Sequence, residues 1–213
     1  RHYGGIVKYY PLSKEKGFLP DLDQLIAQIS PSTKLLIINS PCNPTGSVVN
    51  REMIEDLLTI SEKYNFWILS DEVYESYVYE GEHVSPLALG NHDHVVGVFS
   101  FSKTYNMTGL RVGYIVTRDK NLGKAILNAQ ELYISCAPST SQFAACYALN
   151  SAAGYAASMR QEYQRKRNLA VDCLDSYVVH CPQGAFYLLI DIEFTGLSSD
   201  QFADRLLQEK RVT

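Results

Sequence analysis

Few features of this sequence narrow its function at a glance. Its 213 residues include one tryptophan and five cysteines (Cys42, Cys136, Cys146, Cys173 and Cys181), an odd number at wide spacing. No CxxC pair or Cys/His cluster has zinc spacing, so no metal site is expected. A reduced, cytoplasmic compartment is the simplest reading. No apolar run is long enough to cross a bilayer as a helix, and the first residues do not read as a signal peptide. A formal net charge of −4 gives no basic surface, so neither nucleic acid nor an anionic membrane is an expected partner. Lys and Arg gather over 160–167, but Gln161, Glu162 and Gln164 interrupt them, and the run reads as a solvated helix face. The chain opens on Arg-His-Tyr and stops at Thr213 where an apolar segment begins, so both ends read as cuts through a longer protein.

Short β-rich runs alternate with longer helical ones, which predicts an α/β fold with a mostly parallel sheet sandwiched by helices. Strands are expected over Lys34–Asn39, Phe66–Ser70, Val95–Phe99 and Val112–Thr117. Leu22, Leu25, Ile26 and Ile29 keep helical spacing behind Asp21, a good N-cap, and another helix begins near Asn50. Further helices are expected around Lys120–Tyr133, over Ser139–Asn150 and from about Ala156 to Ser176. The pattern then changes to a strand over Ala185–Ile190 and a helix over Ser199–Lys210. The expected division is a large domain over 1–150, a connecting helix over 151–178, and the start of a smaller α+β domain over 179–213.

Three polar segments each follow an apolar strand: Asn43-Pro44-Thr45-Gly46, Asp71-Glu72-Val73-Tyr74 and Ser100-Phe101-Ser102-Lys103. In parallel α/β sheets, ligands bind beyond the carboxyl ends of the strands, so the three should meet at one edge. Taken singly, each has a plainer reading. Asn-Pro-Thr-Gly makes a turn, Asp71 a helix cap, and most lysines are solvated. Cys42, beside the first segment, is read as a small residue packed in a loop. Together with Arg111 the segments supply an amide, a carboxylate, a phenol, hydroxyls, an amine and a guanidinium. Pyridoxal phosphate needs that set: an amine for its aldehyde, a carboxylate to keep its ring nitrogen protonated, donors for its phenolate oxygen, and hydroxyls with a planar cation for its phosphate.

These segments, with the run from Ser100 to Gly113, resemble the signature segments of the class I aminotransferases, closest to the bacterial-type aspartate aminotransferase subgroup. Pro182-Gln-Gly-Ala-Phe-Tyr187 resembles the family's entry into its small domain. The resemblance covers nearly the whole chain. It implies Lys103 as the Schiff-base lysine and proton shuttle, Asp71 as partner of the pyridinium nitrogen, and Tyr74 and Asn43 as partners of the phenolate oxygen. It places Asn43 near the substrate carboxylate as well, and gives the phosphate to Ser100 and Arg111 with help from Ser102. Both serines can also be read as caps at a strand end. The family's phosphate loop and ring-stacking aromatic would precede Arg1, and its substrate-carboxylate arginine would follow Thr213. The implied activity is transfer of an amino group between an amino acid and a 2-oxo acid by a homodimer, with the isolated 213-residue chain expected to be inactive.

Two other function classes share parts of this pattern. Ser100-x-x-Lys103 fits the nucleophile pattern of penicillin-binding proteins, but those also need Ser-Asp-Asn and Lys-Thr-Gly. Here Ser70-Asp71-Glu72 stands instead of the former, and the latter is absent. A lyase of the same fold, or a non-catalytic sensor domain built on it, would keep the whole constellation.

Overall fold

A computed structural model describes residues 4–212. Its centre is a four-stranded sheet in the order β1 (Leu35–Asn39), β2 (Trp67–Asp71), β3 (Val95–Ser100), β4 (Gly113–Thr117). The first three strands run parallel and the fourth antiparallel. A parallel return needs a crossover across the sheet face. The chain between Ser100 and Gly113 instead stays at the strand ends, in the short helix α3 (Phe101–Thr104) and a 3₁₀ turn (Thr108–Leu110), and so re-enters in the opposite direction. Ser100 pairs with Gly113 as a result, which puts Arg111 at the same sheet edge. The four strands expected over 34–39, 66–70, 95–99 and 112–117 are present within a residue of their predicted ends.

Helix α1 (Leu22–Gln28) is capped as expected, the Asp21 carboxylate accepting from the Gln24 N–H. Helix α2 (Arg51–Tyr64) starts on Asn50, whose side chain accepts from the Met53 N–H at 3.0 Å, and ends on Asn65 in the left-handed region. One side of α2 is apolar, and Ile54, Leu57 and Leu58 from that side are buried with Phe66, Ile68 and Val95. Each such side chain contributes about 1.5–3 kcal/mol of burial. This core locks the strands whose far ends carry the polar segments.

The helices α4 (Lys120–Tyr133), α5 (Ser139–Ser151) and α6 (Ala153–Leu174) match the predicted stretches. They are packed more thinly. Leu132, Phe143 and Tyr147 are exposed, and only one face of α5 is buried, Ala145 and Ala148 packing on Phe101. The 160–167 run is solvated as predicted at Arg165, which pairs with Glu162 on its own helix. Arg167 departs from that reading. Its side chain is 8 % exposed and reaches Glu80 at 3.0 Å and the Pro182 C=O at 2.6 Å.

The predicted strand over Ala185–Ile190 does not form. Instead, Val178 and Ile190 make one isolated antiparallel bridge, and Gly184 makes another with Val78. The segment is apolar enough for a strand, but its two ends pair with different segments, Ala185 with Tyr77 and Leu189 and Ile190 with Val179 and Val178, so among the described residues no single strand runs alongside its whole length. Helix α7 (Ser199–Arg205) opens on a capping box at Ser198 and Gln201 and continues as a π turn over Leu206–Lys210, within the predicted span. Among the described residues no helix is long and apolar enough to cross a membrane. All five cysteines are free.

Candidate active site

Because β1, β2 and β3 are parallel, their carboxyl ends lie at one edge, and the three polar segments do meet there. Asn39 and Asp71 are register partners. The Asn39 side chain ties two of the segments: its amide N–H donates to the Asp71 C=O at 3.0 Å, and its Oδ1 accepts from the Asn43 N–H at 2.7 Å. Cys42 sits in this turn as a half-buried loop residue, its N–H donating to the Ser47 C=O. Gly46 closes the turn at φ +71°. A Cβ there would lie 2.2 Å from the Pro182 Cβ, so only glycine lets the two loops touch.

Asp71, the last residue of β2, is half-buried. Its Oδ1 accepts weakly from the Val73 N–H at 3.4 Å. Burial pushes its carboxyl above the usual range; the Val73 N–H opposes that, and the neighbouring Glu72 adds to it. Among the described residues Asp71 has no cationic partner, so it is an acid that a bound cation would relieve.

Tyr74 is 4 % exposed, and its hydroxyl lies 2.5 Å from that of Tyr187. The Asn43 side chain also reaches the Tyr74 hydroxyl, and burial, with the Tyr187 contact second, holds the Tyr74 phenol well above its ordinary value. The Lys103 Nζ stands 5.7 Å from the centre of the Tyr74 ring and 5.6 Å from that of Phe186. Its backbone is pinned by the Tyr77 hydroxyl, which donates to the Lys103 C=O at 2.8 Å. Asn43, Asp71, Tyr74 and Lys103 are thus gathered in one place.

The other three predicted residues lie at the same edge, and the side chains of Ser100 and Arg111 are bonded to local backbone. Ser100 caps α3, its Oγ accepting from the Ser102 N–H at 3.1 Å. Ser102 also takes the Thr108 hydroxyl on its C=O. Arg111 is exposed, in the left-handed region at φ 51°, and its guanidinium donates to the Thr108 C=O at 2.9 Å.

Five residues at or behind the site were not singled out from the sequence. Tyr187 and Phe186 reach it from a distant segment that was read as a strand and a domain entry. Behind it, Glu72 is fully buried, with His83 Nε2 at 2.7 Å from one carboxylate oxygen and the Ser85 hydroxyl donating to the other at 2.9 Å. The Asp-Glu-Val-Tyr segment carried the signal for Glu72, but nothing local announces a partner in a later loop.

The whole chain, residues 1–213, matches the family model of class I and II aminotransferases. The chain belongs to that family. It is 37 % identical over 212 residues to an aspartate aminotransferase of Thermotoga maritima, covering 98 % of this chain and 54 % of that protein. It is equally 37 % identical over 219 residues to an arginine–pyruvate transaminase of Pseudomonas aeruginosa, covering 99 % and 54 %. The crystal structure of the Thermotoga aspartate aminotransferase superimposes with a TM-score of 0.90 at 36 % identity, over 99 % of this chain and 55 % of that one. That of an aromatic aminotransferase from Pyrococcus horikoshii gives 0.89 at 33 %, over 96 % and 56 %. The chain spans about half the length of the relatives it matches. Membership in the aminotransferase family agrees with the resemblance carried by the three polar segments.

Proposed function

We propose that the full-length protein is a pyridoxal-phosphate-dependent aminotransferase that moves an amino group between an amino acid and a 2-oxo acid. The observation that carries this reading is the meeting of Asn43, Asp71, Tyr74 and Lys103 at one sheet edge. The donor set fits the cofactor: a half-buried acid without a cation faces a site that would receive a protonated ring nitrogen. When bound, the cofactor supplies an electron sink for the pair left on the substrate's α-carbon.

The chain's own residues do the rest. Lys103 Nζ attaches the cofactor and moves the proton at the α-carbon. Asp71 keeps the ring nitrogen protonated. Tyr74 and Asn43 donate to the phenolate oxygen, Asn43 also lying near the substrate carboxylate. Ser100, Ser102 and Arg111 hold the phosphate, Ser100 and Arg111 exchanging their local backbone bonds for charge-assisted ones. Residues 1–150 form the large domain, 151–178 a connecting helix, and 179–213 the start of the small one. A cytoplasmic homodimer is part of the same reading; the exposed apolar side chains of α4 and α5 favour a covered surface there.

Relatives of equal identity carry aspartate or arginine and pyruvate in their names, so the substrate is proposed only as a class. The test is to supply the full-length protein with pyridoxal phosphate, a panel of amino donors and either pyruvate or 2-oxoglutarate. Appearance of the acceptor's amino acid is expected. Release of a 2-oxo acid without any new amino acid would assign a lyase, and no cofactor uptake would assign neither.

A further inference from the structure

We propose that Tyr187 is a positioning residue of this site, holding the Tyr74 hydroxyl so that the single Tyr74 proton is directed at an anionic ligand oxygen. The inference rests on the cofactor assignment above and adds a residue from a separate part of the chain.

The segment that carries Tyr187 is fixed independently of the pair. The Gly46 C=O accepts from the N–H groups of both Gln183 and Gly184 at 2.9 Å, and the Ala185 N–H donates to the Tyr77 C=O at 2.8 Å. Gly184 permits this approach, since a Cβ there would lie 2.6 Å from the Tyr77 carbonyl oxygen. Phe186 then stacks on Tyr163 of α6 and meets the Tyr74 ring edge-on at 5.3 Å. The Tyr74 and Tyr187 rings stand nearly perpendicular, at 87°, with their hydroxyls 2.5 Å apart. Both ends of the contact are therefore held by elements that do not depend on it.

A phenol has one proton to give and lone pairs to receive. With no ligand, either tyrosine can be the donor in this pair. An anionic oxygen in the site changes that, because a bond to an ionised acceptor is about twice as strong as one between neutral groups. Tyr74 then gives its proton to the anion and receives one from Tyr187. Donors in series polarise one another by roughly 10–30 % per bond, so Tyr187 makes Tyr74 the better donor. The titratable groups facing Tyr74 are Tyr187, Asp71 from β2 and Lys103 from α3.

The test is a double-mutant cycle on the full-length protein loaded with pyridoxal phosphate, following the pH midpoint of the bound cofactor's visible absorbance and its dissociation constant. Tyr187→Phe keeps the ring and should raise the midpoint by about 0.5 pH unit, roughly a threefold change in proton affinity, and weaken cofactor binding a few-fold. In a Tyr74→Phe background the same substitution should move neither quantity. The melting temperature of the cofactor-free Tyr187→Phe protein should stay near wild type. An unmoved midpoint, an equal shift in both backgrounds, or a variant that fails to fold would each overturn the proposal, the last by making the hydroxyl a structural bond. Wild-type protein that takes up no cofactor would overturn the function itself and this inference with it; normal uptake with an unmoved midpoint overturns this inference alone.

Discussion

On one side of the site, Asn43, Asp71, Tyr74 and Lys103 are joined to one another through Asn39, Tyr77 and aromatic rings anchored in the core. On the other side, Ser100, Ser102 and Arg111 share the sheet edge, but Ser100 and Arg111 spend their side-chain polar atoms on local backbone, in a cap and a turn, and Ser102 takes the Thr108 hydroxyl on its C=O. The first group is set in place before any ligand arrives; the second must exchange bonds to hold one. On the function proposed above, that difference would put the chemistry on the ring side, where geometry is fixed, and much of the binding affinity on the phosphate side, where charge dominates.

Asp71→Asn should have the larger effect of the two substitutions that test this division. An amide cannot keep the ring nitrogen protonated, so turnover should fall by roughly 10²–10³-fold or more while cofactor uptake persists. The folded protein should not suffer. The Asp71 carboxyl is raised by burial, so its ionised form costs stability that returns as pH falls from the raised range to the ordinary carboxylate range, where it is fully restored. Replacing it should leave the cofactor-free melting temperature at neutral pH unchanged or higher. Near-normal turnover would show that the ring nitrogen does not depend on Asp71.

Arg111→Ala should act on the other quantity. Losing charge-assisted bonds of about 1.5–3 kcal/mol corresponds to roughly 10- to 100-fold weaker cofactor binding. Turnover at saturating cofactor should stay within a few-fold of wild type, measured by titrating activity against pyridoxal phosphate. A variant that bound normally but turned over slowly would break the division between the two sides.

The parts of this arrangement legible in the sequence are those set by local pattern. Apolar runs located the strands, and Asp21 and Asn50 announced helix starts because a capping side chain serves its own helix. The meeting of the three polar segments followed from parallel strands alone. Three things were hidden. Ala185–Ile190 has strand composition, but strand formation depends on a partner, and composition does not name one. Tyr187 meets Tyr74 across most of the chain, through contacts at Gly46, Tyr77 and Phe186 that no spacing rule encodes. Arg167 escaped for the same reason: its run has the composition of a solvated face, and its partners, Glu80, the Tyr79 ring and the Pro182 C=O, all lie far away in sequence.

All of the proposed chemistry depends on Lys103 holding the cofactor. Borohydride reduction of the full-length protein loaded with pyridoxal phosphate, followed by peptide mapping, tests it directly. The pyridoxyl label should lie on Lys103, and Lys103→Ala should abolish both the label and nearly all amino transfer. A label on another lysine, or amino transfer that survives Lys103→Ala at near wild-type rate, would contradict it.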